Sequence, residues 1–259
     1  MPSPRSLRGL NRFFRFIKAR PALGPVLELL TSNRVAIWLA HAMLALKINP
    51  ARTIPALLDV IPTVFERIPF RRFVVTPVQV REEITTLLNT VLKFKPRTII
   101  EIGTARGGTL VLFTRIASPD AVIVSVDLPS GQFGGGYPSW RERYYHSLAT
   151  NHQKVVLFRR DSHDPATLRD VKASLGGRQV DFLFIDGDHT YEGVKSDFEA
   201  YKSLVRPGGI IAFHDICFHP YDPTTRVNVF WDEIKGNYES KELIQDPDQG
   251  WGGIGMIFL

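Results

Sequence analysis

The sequence predicts an α/β domain built on a doubly wound seven-stranded sheet, mostly parallel with an antiparallel C-terminal edge strand, preceded by an N-terminal helical extension. From residue 76, short apolar runs alternate with segments long enough for crossover helices, which is typical of a parallel sheet covered on both faces. The apolar runs lie at residues 97–102, 121–126, 154–158, 180–185 and 209–213. Two further strand-like runs, 241–245 and 252–259, are joined by a turn too short for a helix, so they should pair antiparallel.

Composition and charge limit the function classes. The 259 residues are 44% hydrophobic, enough for one large domain with an extension. Residues 1–75 carry 12 Lys/Arg and 3 Asp/Glu, a net charge of +9, whereas residues 76–259 carry 20 and 23, a net charge of −3. The basic charge therefore belongs to the extension and does not indicate a nucleic-acid-binding body. The single cysteine, Cys217, excludes an intramolecular disulfide and favours a reducing, cytoplasmic location.

The charge pattern divides the chain into an extension, residues 1–75, and a domain, residues 76–259. Within residues 1–20, arginines recur every three or four positions beside an apolar stripe. The arginines are Arg5, Arg8, Arg12 and Arg15. This pattern is typical of a solvated, partly frayed terminus, with a peripheral membrane contact or a docking arm as the alternative. Between Arg34 and Lys47 only 12 residues are free of charge, short of the roughly 20 needed to span a bilayer, so we expect a packed helix.

The domain begins with a predicted helix. Thr76-Pro77-Val78-Gln79 has a threonine cap, proline at the first position and glutamine at the third, which is typical of a helix start. The apolar side chains that follow fall on one helical face: Ile84, Leu87, Leu88, Val91 and Leu92.

Acidic residues follow each of the first five predicted strands. They are Glu101, Asp127, Asp161, Asp186 with Asp188, and Asp215. Ligands of such sheets bind at the carboxyl ends of the strands, so we expect these acids to surround one site. A carboxylate can also cap the next helix, as we expect for Asp164 before Pro165.

The glycine turn after the first strand, Glu101-x-Gly103-x-x-x-Gly107, indicates the ligand. It has neither the lysine nor the spacing of a phosphate-binding loop, and it lacks the GxGxxG of a dinucleotide site. A carboxylate there would repel a pyrophosphate and attract a cation, while Asp127 is placed to accept hydrogen bonds from a ribose diol. S-adenosylmethionine combines a ribose, a positive charge and no phosphate, and is the predicted cofactor.

Residues 76–259 resemble the class I S-adenosylmethionine-dependent methyltransferases, whose sheet is Rossmann-like. The segment 101–107 matches their first motif, Asp127 their ribose acid, and residues 204–209 the turn before their fifth strand. The runs FIDGDHTYEGVKSDF and GGIIAFHDI are similar to the branch of cephalosporin-hydroxylase-like proteins and macrocin-type sugar O-methyltransferases. The resemblance implies methylation of a hydroxyl on a small molecule such as a sugar or secondary metabolite. The implied cofactor contacts are Glu101, Gly103, Thr104, Gly107, Asp127, Leu128, Asp161, Ser162 and Asp186.

The same resemblance implies a divalent metal and a base. That branch and the catechol-type enzymes often hold magnesium at positions that match Asp186, His214 and Asp215. Histidine replaces an oxygen ligand here, which leaves open whether an ion binds or shifts the metal preference toward manganese or zinc. Asp188 matches the base of the sugar methyltransferases, and His189 falls where catechol-type enzymes place a lysine; a helix-start role is the alternative for His189.

The remaining predictions concern loops and the wider function. Residues 128–140 are expected to form a lid that folds aromatic side chains over the ligand. The lid aromatics are Phe133, Tyr137 and Trp140, while His163, His219 and Cys217 are expected to be packing or loop residues. The alternative function is a non-catalytic S-adenosylmethionine-binding protein, docked to a membrane or complex by its basic arm. A nucleotide-linked oxidoreductase is disfavoured by the missing GxGxxG, and homo-oligomerisation stays open.

Overall fold

The structure is a computed structural model that describes residues 34–49, 51, 53–61, 73–131, 133 and 135–259. The predicted amphipathic stripe of residues 1–20 lies outside the described residues. The bounds of the secondary-structure elements are given below for the described ranges only.

A seven-stranded sheet forms the centre of the fold. Its strands are β1 (Thr98–Ile102), β2 (Val122–Val126), β3 (Lys154–Phe158), β4 (Val180–Ile185), β5 (Val205–His214), β6 (Glu239–Leu243) and β7 (Ile254–Phe258). The strand order is β3-β2-β1-β4-β5-β7-β6. Neighbours among β1 to β5 pair parallel, whereas β7 pairs antiparallel with both β5 and β6. The predicted Rossmann-like sheet is confirmed, with β6 at its outer edge.

Helices cover both faces of this sheet. They are α1 (Arg34–Ile48), α2 (Ile54–Val60), α3 (Arg81–Phe94), α4 (Gly108–Ile116), α5 (Trp140–His146), α6 (Pro165–Ser174), α7 (Tyr191–Tyr201) and α8 (Val227–Ile234). Side chains of α1 to α5 pack in one apolar cluster, and those of α6 to α8 pack in a second. Adjacent residues of β1 enter opposite clusters, Ile99 the first and Ile100 the second, because successive strand side chains point to opposite faces. The continuous apolar runs of the sequence reflect this burial on two sides.

The predicted helix start at Thr76 is wrong, because α3 begins at Arg81. Residues 74–78 form no regular secondary structure, and the backbone of Gly108 lies against them so closely that a Cβ there would be 1.9 Å from the nitrogen of Pro77. This tertiary approach overrides the capping pattern. The expected apolar face of the helix is buried, except for Leu92, which is 42% exposed.

Strand β5 begins at Val205, earlier than the predicted residue 209. Its pairing with β4 is interrupted, since Val180 pairs with Val205 but the regular register resumes at Phe182 and Ile210. The guanidinium of Arg206 binds the carboxylate of Asp181 at 2.6 Å within this irregular stretch. The segment expected to be a turn is therefore a bulged strand entry.

The described part of the extension packs on the domain. Helix α1 buries Ile37, Ala40, Leu44 and Ile48 in the cluster that also holds α3 and α4. This confirms the prediction of a packed helix, and none of the helices in the described ranges is long and apolar enough to cross a bilayer. A domain boundary at residues 75 and 76 stays a prediction, although Phe73 and Val75 already lie in the same core.

Candidate active site

A cavity of about 720 Å³ opens at the carboxyl ends of β1 to β5, within the size range of small-molecule sites. Its wall includes eleven of the residues predicted from the sequence. They are Gly103, Thr104, Asp127, Leu128, Asp161, Ser162, Asp186, Asp188, His189, His214 and Asp215. The other two predicted site residues, Glu101 and Gly107, lie behind the wall.

The glycine turn after β1 is held against the loop that follows β4. Gly103 has a φ of +95°, and a Cβ there would lie 1.9 Å from the carbonyl oxygen of Asp186. Gly107 has a φ of +73°, and a Cβ there would lie 2.7 Å from the ring of Tyr145. Both positions exclude a side chain by backbone conformation and by space. Gly107 thus shapes the turn. It does not line the cavity, so its contact with the cofactor stays a prediction.

Glu101 lies beneath the turn and is fully buried. Its carboxylate accepts hydrogen bonds from the hydroxyls of Thr109 and Ser125, the latter at 2.8 Å. Burial raises the pKa of Glu101 to about 8, which outweighs the lowering effect of the two hydroxyls. The carboxylate therefore supports the turn from below, and a contact between Glu101 and the ligand stays a prediction.

Asp127, at the end of β2, joins two loops of the cavity wall. One carboxylate oxygen accepts from the backbone N–H of Thr104 at 3.3 Å and the other from that of Gly136 at 2.9 Å. Burial raises the pKa of Asp127 to about 6, opposed by these backbone hydrogen bonds. The acid predicted to bind a ribose diol is thus fixed in place by the glycine turn and by the 128–140 loop.

The 128–140 loop presents one of its three aromatic residues to the cavity. The ring of Phe133 stacks on that of His189, with centroids 4.7 Å apart and an interplanar angle of 16°. Tyr137 is buried against Tyr145, and Trp140 packs edge-on against Phe73. The expectation that all three aromatic side chains cover the ligand is wrong for Tyr137 and Trp140, which stabilise the core.

The loops after β4 and β5 bring two carboxylates and an imidazole together. The Nδ1 atom of His189 lies 3.0 Å from Oδ2 of Asp215, and its Nε2 atom lies 3.5 Å from Oδ1 of Asp186. Each of these three residues offers a donor atom within 4.8 Å of the others, so the group could hold a metal ion. The predicted meeting of Asp186, His214 and Asp215 is confirmed, and His189 joins them. We call Asp186, His189 and Asp215 the acid–imidazole cluster.

Two more histidines back this cluster. The Nδ1 atom of His214 lies 3.1 Å from Asp186 and 3.3 Å from Asp215, although neither ring nitrogen has a hydrogen-bond partner among the described residues. Burial lowers the pKa of His214, but the two carboxylates outweigh it and hold the pKa well above its usual range. The Nε2 atom of His219 lies 3.1 Å from Asp215, so the prediction of a packing or loop role missed its place in the cavity wall.

Residues distant in sequence orient the two carboxylates. The side-chain amide of Gln79 donates to Oδ2 of Asp186 at 2.7 Å, and the backbone N–H of Gly252 donates to Oδ1 of Asp215 at 3.1 Å. Asp215 itself has a φ of +62°, a costly conformation for an aspartate. The capping pattern at Thr76 accounted for Gln79 in another way and did not predict this contact.

The loops after β3 and β4 complete the wall. The Nε2 atom of His163 lies 3.4 Å from the fully buried carboxylate of Asp197, and this hydrogen bond raises the pKa of His163 to about 9. His163 is a loop residue as expected, but it also lines the cavity beside Asp161. Asp188 accepts from the backbone N–H of Thr190 at 2.9 Å.

Two expectations for neighbouring residues hold outside the cavity wall. Cys217 is a buried packing residue, with its sulfur 3.7 Å from the side-chain amide of Gln249. Asp164 caps α6 as predicted, because its side chain accepts from the backbone N–H of Ala166. Neither residue contributes to the acid–imidazole cluster.

Comparison with known proteins agrees with this architecture. Residues 100–216 match the family model described as "Methyltransferase domain". Two curated relatives are each 32% identical: "Uncharacterized protein y4gI" of Sinorhizobium fredii, over 47% of this chain and 13% of the relative, and "Uncharacterized protein R132" of Acanthamoeba polyphaga mimivirus, over 49% and 54%. The chain thus spans about an eighth and about half of the lengths of these relatives.

A solved structure supports the fold. The O-methyltransferase from Bacillus cereus, crystallised in complex with S-adenosylhomocysteine, superposes with a TM-score of 0.51 at 18% identity, covering 84% of this chain and 91% of that one. The strand order and this superposition show that the chain has the fold of the class I S-adenosylmethionine-dependent methyltransferases, and residues 100–216 within it are similar to the methyltransferase-domain model.

Proposed function

We propose that this protein transfers the methyl group of S-adenosylmethionine to a hydroxyl oxygen of a small molecule, such as a sugar or a secondary metabolite. One observation carries the proposal: the acid–imidazole cluster opens on the same cavity as the glycine turn and Asp127. A cofactor held at the turn would therefore face groups able to bind and deprotonate an acceptor hydroxyl.

The cavity wall offers each part of the cofactor a suitable partner. Asp127 would accept hydrogen bonds from the ribose hydroxyls, since its carboxylate stands at the end of β2. The backbone at Gly103 and Thr104 would approach the methionine part, with Asp186 on its far side. Asp161 and Ser162 would lie beside the base.

The acid–imidazole cluster fits a divalent ion. Two carboxylates and an imidazole form a mixed oxygen and nitrogen donor set, which favours manganese or zinc over magnesium. When bound, the ion would supply Lewis acidity that lowers the pKa of the acceptor hydroxyl. The ligand set proposed from the sequence contained His214, which lies as close to both carboxylates as His189 does; we place His189 in the set because it belongs to the group able to hold a metal ion.

The acceptor proton has two candidate destinations. With an ion in the cluster, His189 is a ligand and Asp188, which also lines the cavity, is the available base. Without an ion, His189 can take the proton itself, because Asp215 at 3.0 Å would stabilise the imidazolium. Phe133 covers one face of the His189 ring and would limit its access to water.

The second candidate is a non-catalytic S-adenosylmethionine-binding protein docked through its basic extension. It is favoured by the charge of +9 on residues 1–75, and it would leave the acid–imidazole cluster without a catalytic task. Either candidate function is compatible with a peripheral membrane contact through residues 1–20, a cytoplasmic location and self-association.

Calorimetry followed by an acceptor screen tests the proposal. S-adenosylhomocysteine should bind in the micromolar range, and NAD should not bind. Methyl transfer from labelled S-adenosylmethionine should appear with at least one hydroxylated acceptor, and manganese should bind to the wild type but not to Asp186→Asn. Tighter binding of NAD would contradict the cofactor, and cofactor binding without turnover on any acceptor class would favour the second candidate.

A further inference from the structure

Helix α1 exposes an apolar face that no described residue covers. Its members are Val35, Trp38, Leu39, Met43 and Leu46. These positions recur at three- and four-residue steps, so they form one stripe along the helix, here called the α1 stripe. Trp38, the largest side chain of the stripe, is 66% exposed, and Leu46 is 76% exposed.

The opposite face of α1 explains why the stripe stays outside. Ile37, Ala40, Leu44 and Ile48 fill that face and pack in the same cluster as α3 to α5. Because α1 is apolar on two faces, only one of them can pack against the domain. The helix is thereby attached to the protein body with its second apolar face outward.

The charges around the stripe identify its partner. Arg34 and Lys47 stand at the two ends of α1, and the helix contains no acid. In the sequence before α1, residues 1–33 contain six Lys/Arg and one Glu. An exposed apolar stripe with a tryptophan, flanked by cations, is the pattern of a surface that enters the headgroup region of an anionic bilayer. A second copy of the chain is less suitable, because stable interfaces use about 20–30 residues a side.

We propose that the α1 stripe is a membrane-docking surface for bilayers that contain anionic lipid. The stripe runs for about 17 Å along the helix, at about 1.5 Å per residue, so it can lie in the plane of the bilayer without spanning it. The apolar side chains enter the boundary between headgroups and acyl chains, while Arg34 and Lys47 remain at the level of the lipid phosphates.

Vesicle cosedimentation of the full chain tests the proposal. The wild type should bind vesicles of phosphatidylcholine with phosphatidylserine, bind pure phosphatidylcholine more weakly, and dissociate in high salt. The double variant Trp38→Glu plus Leu46→Glu should lower the partition coefficient by about tenfold or more, because it places two charges in the apolar layer. The control Tyr221→Glu changes an aromatic residue that is 95% exposed elsewhere and should bind like the wild type.

The comparison requires that the variants fold as the wild type does. Far-UV circular dichroism and S-adenosylhomocysteine affinity should be the same in all three proteins, since the α1 stripe does not line the cavity. Vesicle binding that survives in the double variant would overturn the proposal, as would a wild type that binds no vesicles. A wild-type dimer that the double variant dissociates would also overturn it and would assign the stripe to a second copy. Failure here leaves the methyl-transfer proposal untouched, because neither lipid nor self-association enters that test.

Discussion

The imidazole of His189 lies 3.0 Å from the carboxylate of Asp215, although the two residues follow different strands. They meet because β4 and β5 are parallel neighbours, so the loops at their carboxyl ends emerge side by side. Asp186, 3.5 Å from the other ring nitrogen, completes an arrangement in which one imidazole stands between two acids. All three residues line the cavity at this edge of the sheet.

The first prediction removes the charge of Asp215. Asp215→Asn should lower kcat by about 10²–10⁴-fold, the usual contribution of a positioned proton-transfer group, and should change S-adenosylhomocysteine affinity little. The measurements are kcat on an acceptor from the screen and calorimetric affinity. Asp232→Asn, at an exposed position of α8, is the matched control and should change neither kcat nor S-adenosylhomocysteine affinity.

The same variant separates the two mechanisms. If an ion acts in the cluster, EDTA should abolish turnover, manganese should restore it, and Asp215→Asn should weaken manganese binding measured by electron paramagnetic resonance. Turnover that survives both EDTA and Asp215→Asn would exclude a metal mechanism and leave Asp188 or His189 as a simple base.

The second prediction concerns Asp127 and the ribose. Asp127→Ala should weaken S-adenosylhomocysteine binding by about 1.5–3 kcal/mol, the usual loss for hydrogen bonds to a charged group. Because Asp127 also holds Thr104 and Gly136, part of that loss could come from the loops. A 2′-deoxy analogue of the ligand resolves this: the wild type should discriminate against it, and Asp127→Ala should not. Equal discrimination by both proteins would show that Asp127 acts only on the loops.

The sheet and the acidic edge could be predicted because both depend on local pattern. Strands β3 and β4 have the predicted bounds. The apolar run of β4 reflects burial on two faces, whereas β3, at the edge of the sheet, is only partly buried. Asp127, Asp186 and Asp215 could be placed at one edge because the carboxyl ends of parallel strands share an edge.

The missed features depend on tertiary contacts and loop conformations that a local sequence pattern does not report. The close approach of Gly108 prevents the helix start that the capping pattern predicts at Thr76. The side chain of Gln79 can therefore bind Asp186. The hydrogen bond that Glu101 accepts from Thr109 was not predicted, because the motif gives the position of Glu101 in the strand and not the side chain that packs against it. His219 is four residues beyond Asp215, and only the loop conformation brings it to the carboxylate.

The third prediction compares two glycines with positive φ. At Gly103 an added Cβ would meet the carbonyl of Asp186 at 1.9 Å, whereas at Gly176 it would meet nothing within 4 Å. Gly176→Ala should cost about 1–2 kcal/mol of unfolding free energy from backbone strain alone. Gly103→Ala should cost clearly more and should also impair cofactor binding, because the turn and the β4 loop must move apart. Urea denaturation of both variants checks this. Equal losses of unfolding free energy would show that the close approach at Gly103 does not contribute to stability.

The fourth prediction rests on the buried carboxyl of Glu101. Burial raises the pKa of Glu101 to about 8, so the folded protein holds a proton that the unfolded chain releases near its ordinary pKa of 4.5. The stabilisation is therefore complete below about pH 4.5 and is lost as the pH rises toward 8, at up to about 1.4 kcal/mol per pH unit. Glu101→Gln remains neutral, so the variant should lose less stability than the wild type between pH 5 and 8.5 in urea titrations, and exposed Glu239→Gln should follow the wild type. If stability depended on pH in the same way for the wild type and Glu101→Gln, the pKa of the Glu101 carboxyl would lie in its ordinary range.

The same proton should respond to the cofactor. A sulfonium above the glycine turn would favour the ionised form of Glu101, so binding of S-adenosylmethionine at pH 7 should release a proton. S-adenosylhomocysteine lacks the sulfonium charge and should release a smaller fraction. Calorimetry in two buffers of different ionisation enthalpy measures the difference, and Glu101→Gln should abolish it. If both ligands released the same number of protons from the wild type, the carboxyl under the turn would not sense the sulfonium, and the ligand's positive charge would have to be balanced by Asp127 or Asp186, the other carboxylates that act on Glu101.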